Sequence, residues 1–154
     1  MPAANSGDTQ RPDKEENTME KYVSKQVRIN RSDASIYTLL SDFNHFTPLL
    51  RDKVDGWTAD ADTCSFQVKG FTARLKMVEK TPYSCIKLTG DDGSPFEFFF
   101  WIQLKGLAPD DTRMRLTLHA KLNMMMKMMV GSKLQKGLDD IAEKIAEAFN
   151  HASV

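Results

Sequence analysis

LNMMMKMMVGSKLQKGLDDIAEKIAEAFNHASV, residues 122–154, closes this chain and constrains how the rest of it can pack. Leu134, Leu138, Ile141, Ile145 and Phe149 recur at the helical period, while Lys133, Lys136, Asp139, Asp140, Glu143, Lys144 and Glu147 take the other faces. The spacing predicts one long amphipathic helix. Almost everything before it, back to about residue 53, alternates with period two and is punctuated by turn residues. A single long helix closing a run of antiparallel strands must lie across the sheet, since neither apolar face is otherwise buried. Such a layout can enclose an apolar cavity, which makes ligand binding the first functional expectation.

The strands are expected at 53–59, 63–68, 71–80, 84–89, 96–104 and 112–122, joined by the short links ADADT, KG, TPY, GDDGSP and GLAPDD. Short links imply antiparallel pairing as a meander. Alternation then assigns the faces. Cys64, Phe66 and Val68 share one side with Phe71, Ala73, Leu75 and Met77, with Ile86 and Leu88, with Phe96, Phe98, Phe100, Ile102 and Leu104, and with Met114, Leu116, Leu118, Ala120 and Leu122. The opposite parity carries Thr72, Arg74, Lys76, Cys85, Lys87, Thr89, Arg113, Arg115, Thr117, His119 and Lys121 and belongs to water. Phe99 and Trp101 also fall on this outer side, where Lys87 and Arg115 are placed to stack on the indole. Two large outward aromatics call for a cover, either a weak homodimer or the N-terminal tail.

Upstream, EKYVSKQVRI (20–29) reads as a first strand with Val23, Val27 and Ile29 on one parity. Asn30, Ser32 and Asp33 are helix-start residues before ASIYTLL, which lines up Ile36, Leu39 and Leu40. A second short helix at about 42–50 carries Phe43, Phe46, Leu49 and Leu50, with Pro48 allowed only near its start. Residues 1–19 are polar and unpatterned and are expected to form a disordered tail ahead of a single domain at 20–152. Met19 would serve equally as a start.

Composition narrows the function classes. With 21 basic and 21 acidic residues, total charge gives no reason to expect nucleic acid. No apolar run approaches the roughly 20 residues of a membrane span, and the N-terminus lacks the pattern of a secretory signal. Cys64 and Cys85 lie on opposite sheet faces, so two reduced thiols in a cytoplasmic protein are expected. His45, His119 and His151 are scattered, and neither a metal set nor a phosphate-cradling or nucleophile-elbow motif occurs; no cofactor is expected. Asp91 with Asp92, and Asp110 with Asp111, read as turn formers. His45, beside Phe46 at the mouth of the expected cavity, has no evident partner for acid–base work. Met124, Met125, Met126, Met128 and Met129 cannot all face inward on a helix, so some must be exposed or meet a partner.

The order strand, two short helices, six strands, long helix resembles the START-like superfamily, whose helix-grip fold is shared by polyketide cyclases, lipid-transfer START domains and the birch-pollen-allergen group. SDASIYTLLSDFNHFTPLL (32–50) and LNMMMKMMVGSKLQKGLDDIAEKIAEAF (122–149) carry the resemblance; bacterial members typically show a helix ending in Leu-Leu-Ser-Asp-Phe. The resemblance implies an α+β protein with a curved seven-stranded antiparallel sheet wrapped on the C-terminal helix. The glycine-rich loop of the pollen-allergen branch is absent, so that branch's ligands do not carry over. The expected function is non-catalytic binding or transport of an apolar small molecule, a lipid or an aromatic. Its cavity is expected to be lined by Phe66, Phe71, Leu75, Met77, Phe98, Phe100, Ile102, Met114, Leu116, Leu134, Leu138 and Ile141. The alternatives are a polyketide cyclase or dehydratase type of enzyme, which needs polar groups inside the cavity, and a protein-interaction module such as a chaperone activator.

Overall fold

A computed structural model describes residues 19–68, 71–91 and 96–151. Residues 1–18 of the tail expected at 1–19, the KG link at 69–70, most of the GDDGSP link and the side chains of Leu49, Val68 and Phe71 lie outside the described part, while Met19 is buried. Eight strands form one antiparallel sheet: β1 (Glu20–Val23), β2 (Val27–Ile29), β3 (Asp55–Ala59), β4 (Thr63–Val68), β5 (Phe71–Thr81), β6 (Cys85–Gly90), β7 (Phe98–Ala108) and β8 (Asp111–Ala120). Their spatial order is β1-β8-β7-β6-β5-β4-β3, with β2 also paired to β8. Helix α1 (Asp33–Leu40), a 3-10 turn (Phe43–Phe46) and α2 (Thr47–Leu50) follow β2, and α3 (Met124–Asn150) closes the chain.

Local chemistry sets the element ends. Ser32 caps α1 by accepting from the Ser35 amide, and Asn123 caps α3 by accepting from the Met126 amide at 2.8 Å. Asp42 accepts from the Asn44 amide at 2.8 Å to start the 3-10 turn. Pro48 stands in the first turn of α2, where its missing N–H costs nothing. Between β3 and β4, Asp60 Oδ1 accepts from the amides of Asp62 and Thr63 at 3.0 and 2.8 Å, as expected of an acidic turn former.

The first strand of the sequence reading is interrupted, which raises the strand count from seven to eight. Tyr22 lies opposite Leu118 and Val27 opposite Met114, so five steps on one strand match four on the other. The extra residue is a bulge. Buried Ser24 spans it: its amide donates to the Leu116 carbonyl at 2.8 Å and its Oγ accepts from the Leu116 amide at 2.9 Å. Parity flips across the bulge. Tyr22 packs with the core beside Val27 and Ile29, while Val23, expected to share their side, is exposed.

Helix α3 packs against β1, β2 and β8. Its second half is fastened by polar contacts. Gln135 Nε2 donates to the Val23 carbonyl at 2.9 Å, Asp139 accepts from the Lys25 amide at 2.7 Å, and Lys25 pairs with Glu143. Asn150 accepts from the Asn30 amide and donates to the Arg28 carbonyl at 2.7 and 3.0 Å. The buried stripe is Leu138, Ala142 and Ala146, flanked by half-buried Leu134, Ile145 and Phe149. Ile141, expected on the sheet-facing stripe, is exposed; at about 100° per residue it is turned a quarter circle from Ala142.

Candidate functional site

Burial divides the concave face of the sheet into a closed end and an open end. At the closed end Ile86, Ile102, Leu104, Met114 and Leu116 pack with Ile36, Leu40 and Phe43 from the helical segment after β2. Contact with α1 is tight there: a Cβ at Gly106 of β7 would lie 2.6 Å from Asp33 Oδ2, so glycine permits the approach. Toward the other end of the same strands cover is lost. On β7, Ile102 and Leu104 are buried while Phe98 and Phe100 are half-buried; on β4 and β5, Cys64 and Met77 are buried while Phe66 and Leu75 are half-buried. β8 stays covered along the whole row, because α3 lies over it, and on β6 both inward residues, Ile86 and Leu88, are buried.

The open end is therefore an apolar rim of half-buried groups packed on a solid core. The indole of Trp57 stacks on Phe66 with centroids 6.1 Å apart, Phe96 meets Phe98 at 5.9 Å, and half-buried Phe46 leans on the buried Phe43 ring of the core at 5.7 Å. Trp57 Nε1 donates to Thr47 Oγ1 at 2.8 Å, which joins β3 to α2 and satisfies the ring's polar edge. From α3, Met126, Val130 and Leu134 pack against the core at half burial.

Of the residues expected to line a cavity, Phe66, Leu75, Phe98, Phe100 and Leu134 lie in half-buried positions of this kind, and Met77, Ile102, Met114, Leu116 and Leu138 are buried in the packed core. Ile141 faces away, and Phe71 opens β5 with its side chain outside the described part. Phe46 is half-buried against the core and His45 is exposed. The imidazole Nδ1–H of His45 donates to the Leu39 carbonyl at 2.9 Å, a local bond across the α1 exit. Trp57 and Phe96 were missed as rim residues. Gly56 at φ +68° and a register shift between Asp55 and Thr58 break the alternation that would have assigned Trp57 a face.

Two surface depressions are present, and the larger takes in Leu75 of the rim. One of about 510 Å³ is formed by β3, β4 and β5 around Thr58, Cys64, Arg74 and Asp91; another of about 340 Å³ lies along Asp140, Glu143, Lys144 and Glu147 of α3. Burial pushes the Cys64 thiol up to about 11, and Cys85 is also raised, by burial and then by Glu79. Both cysteines are free. Among the described residues no three His, Cys, Asp or Glu side chains are grouped to hold a metal ion, and no helix is long and apolar enough to cross a membrane.

On the outer face, Phe99 and Trp101 are half-buried rather than bare. Lys87 Nζ lies 4.6 Å from the Phe99 ring and 5.3 Å from the Trp101 ring, and the His119 ring meets Trp101 edge-on at 4.6 Å. Lys87 thus takes the expected stacking position, while Arg115 reaches toward Gln26 instead.

No family model matches the sequence, and no curated protein does. Solved structures do match. Truncated norcoclaurine synthase from Thalictrum flavum superposes with a TM-score of 0.70 at 11% identity, covering 88% of this chain and 97% of that one. The Aha1 dimer protein of Colwellia psychrerythraea gives 0.62 at 15% identity, covering 88% and 100%. A START superfamily protein of Mycobacterium smegmatis gives 0.54 at 18% identity, covering 82% and 98%. The chain has the START-like helix-grip fold.

Proposed function

We propose that this protein binds an apolar small molecule, a lipid chain or an aromatic, against the open end of its grip. The observation that carries the reading is the change in burial along β4, β5 and β7: the same inward row that is sealed at Ile102 and Met77 leaves Phe66, Leu75, Phe98 and Phe100 half covered. A ligand completing that cover gains the remaining apolar area. Full burial of such a side chain is worth roughly 1.5–3 kcal/mol. These rings keep no more than about a third of their surface open, so covering it contributes up to about 1 kcal/mol, or up to about fivefold in affinity per ring.

Entry is proposed at the first half of α3. The hydrogen-bonded fastenings of that helix fall at Gln135, Asp139, Glu143 and Asn150; its first half carries the exposed Lys127–Glu20 ion pair at 3.2 Å, which is weak, and Met126, Val130 and Leu134 there make apolar contacts that a ligand can replace. Binding without chemistry is supported by the state of the polar groups near the rim, since His45 Nδ1 is engaged by Leu39 and Trp57 by Thr47. A relative in fold supports the binding of a small molecule, though in an enzyme: a norcoclaurine synthase point mutant from Thalictrum flavum is in complex with a transition state analogue. Self-association through Phe99 and Trp101 is proposed to be weak, because Lys87 and His119 already cover part of both rings.

Titration with N-phenyl-1-naphthylamine, together with native mass spectrometry of gently purified protein, tests the proposal. Saturable one-to-one uptake that weakens about fivefold in Phe66→Ala and in Phe98→Ala supports it. Absence of uptake with no retained small molecule, or uptake indifferent to both substitutions, overturns it.

A further inference from the structure

The first half of α3 carries an apolar surface that its own fold does not use. Met124, Met125, Met128 and Met129 are 77, 70, 80 and 64% exposed, although Met126 between them packs on the core. At about 100° per residue these four occupy one arc of roughly 140° on the side away from Met126. Side chains exposed to this degree form a convex tip, not a groove, so a complementary surface must be flat or deformable. Thioethers suit such a surface because they adapt to irregular apolar surroundings.

Charge along the helix supplies the second half of the argument. Residues 121–137 contain Lys121, Lys127, Lys133 and Lys136 and no acidic residue, whereas residues 138–150 contain Asp139, Asp140, Glu143 and Glu147 against Lys144 alone. Lys127 pairs with Glu20 at 3.2 Å and Lys136 with Asp140 at 3.3 Å, yet their side chains remain 55 and 79% exposed. Such exposed pairs are weak and leave the ammonium groups accessible to other anions. The helix start, capped by Asn123, adds the positive end of its dipole at the methionine tip. Lys133 stands about 7 Å along the axis behind the centre of the Met128–Met129 pair, at a rise of 1.5 Å per residue.

We infer that the methionine-rich start of α3 docks on an anionic lipid bilayer, with Met124, Met125, Met128 and Met129 entering the interface and Lys127, Lys133 and Lys136 meeting lipid phosphates. A flat, deformable, negatively charged layer is the occupant that a convex apolar tip with a basic shoulder fits. The inference stands apart from the ligand proposal, because vesicle binding is measured on protein without ligand.

Vesicle flotation tests it, with phosphatidylcholine vesicles compared with vesicles carrying about a third phosphatidylglycerol, at low and at physiological salt. The wild type is expected to partition at least tenfold more strongly onto the anionic vesicles and to weaken with salt. Replacing all four exposed methionines by glutamine is expected to lower partitioning at least tenfold, and Lys133→Glu several-fold, with melting temperatures held near the wild type. A second measurement needs no variant: methionine methyl signals in carbon-13 NMR should broaden for these four residues when spin-labelled anionic lipid is added. Equal or absent binding to both vesicle types overturns the inference. So does binding that the glutamine variant retains, or oligomerisation lost in that variant without vesicle binding, which assigns the tip to a second copy of the chain.

Discussion

Replacing Gly137 by alanine is expected to stabilise the protein, and the size follows from what surrounds that position. Gly137 is half-buried in the interior of α3, yet a Cβ built on it meets no heavy atom within 4 Å. The new methyl neither clashes nor packs, so only the backbone preference changes. Glycine inside a helix is less favourable than alanine by about 0.8–1 kcal/mol, and a gain of that size raises the melting temperature by about 2–4 °C for a chain of this length. Gly131 is the internal control. Its added methyl would lie 3.3 Å from Tyr22 Oη and 3.9 Å from Lys127 Cγ, so the tyrosine must give way and part of the same gain is offset. Denaturant unfolding of both variants should therefore show a larger gain for Gly137→Ala than for Gly131→Ala. Stiffening at Gly137, just behind the half of the helix proposed to open, should also slow release of a bound naphthylamine probe in stopped-flow displacement. Destabilisation by Gly137→Ala, or an equal or larger gain at Gly131, would refute the reasoning.

Three further outcomes are expected. Cys64, with its thiol pushed up to about 11 by burial, should resist Ellman's reagent at pH 8 until the protein is unfolded, and prompt labelling of native Cys64 in a Cys85→Ser background would contradict its burial. Asp111 is held below the usual carboxylate range by the Arg113 hydrogen bond at 3.0 Å and further by the charges of Arg113 and Arg28, so its contribution is present above about pH 4 and is lost as pH falls through its lowered value. Asp111→Asn should accordingly flatten the acid side of the stability profile, and an unchanged profile counts against that pairing. His45→Ala should change probe affinity by less than about threefold and leave a bound ligand chemically intact, as read by mass spectrometry of the released ligand, because the ring is exposed and makes a local bond to Leu39.

Legibility in the sequence followed the regularity of the backbone. Where alternation ran unbroken, from Phe98 to Leu104 and from Met114 to Ala120, parity placed every inward residue on the core side. It failed at irregular backbone. The bulge spanned by Ser24 exchanged Tyr22 for Val23, and the left-handed Gly56 with its register shift hid Trp57. On α3 the difficulty was size, not geometry. Ala142 and Ala146 are buried because small side chains let the helix lie close to the sheet, but alanine carries too little hydrophobic signal to outvote the larger, exposed Ile141. The candidate site was legible as a face and not as an opening. Parity lists the row from Phe98 to Leu104 as one set, whereas the difference between sealed Ile102 and half-covered Phe100 depends on where α1 and α3 end, which no strand period encodes.

The most direct test of the binding proposal is photo-crosslinking with a fatty acid bearing a diazirine in its chain, followed by mapping of the adducts. Labelling is expected at Phe66 on β4, at Phe98 and Phe100 on β7 and between Met126 and Leu134 on α3, competed by excess unlabelled fatty acid. Adducts confined to the outer Phe99 and Trp101, or to the exposed Met124, Met125, Met128 and Met129 with the rim unlabelled, would contradict it.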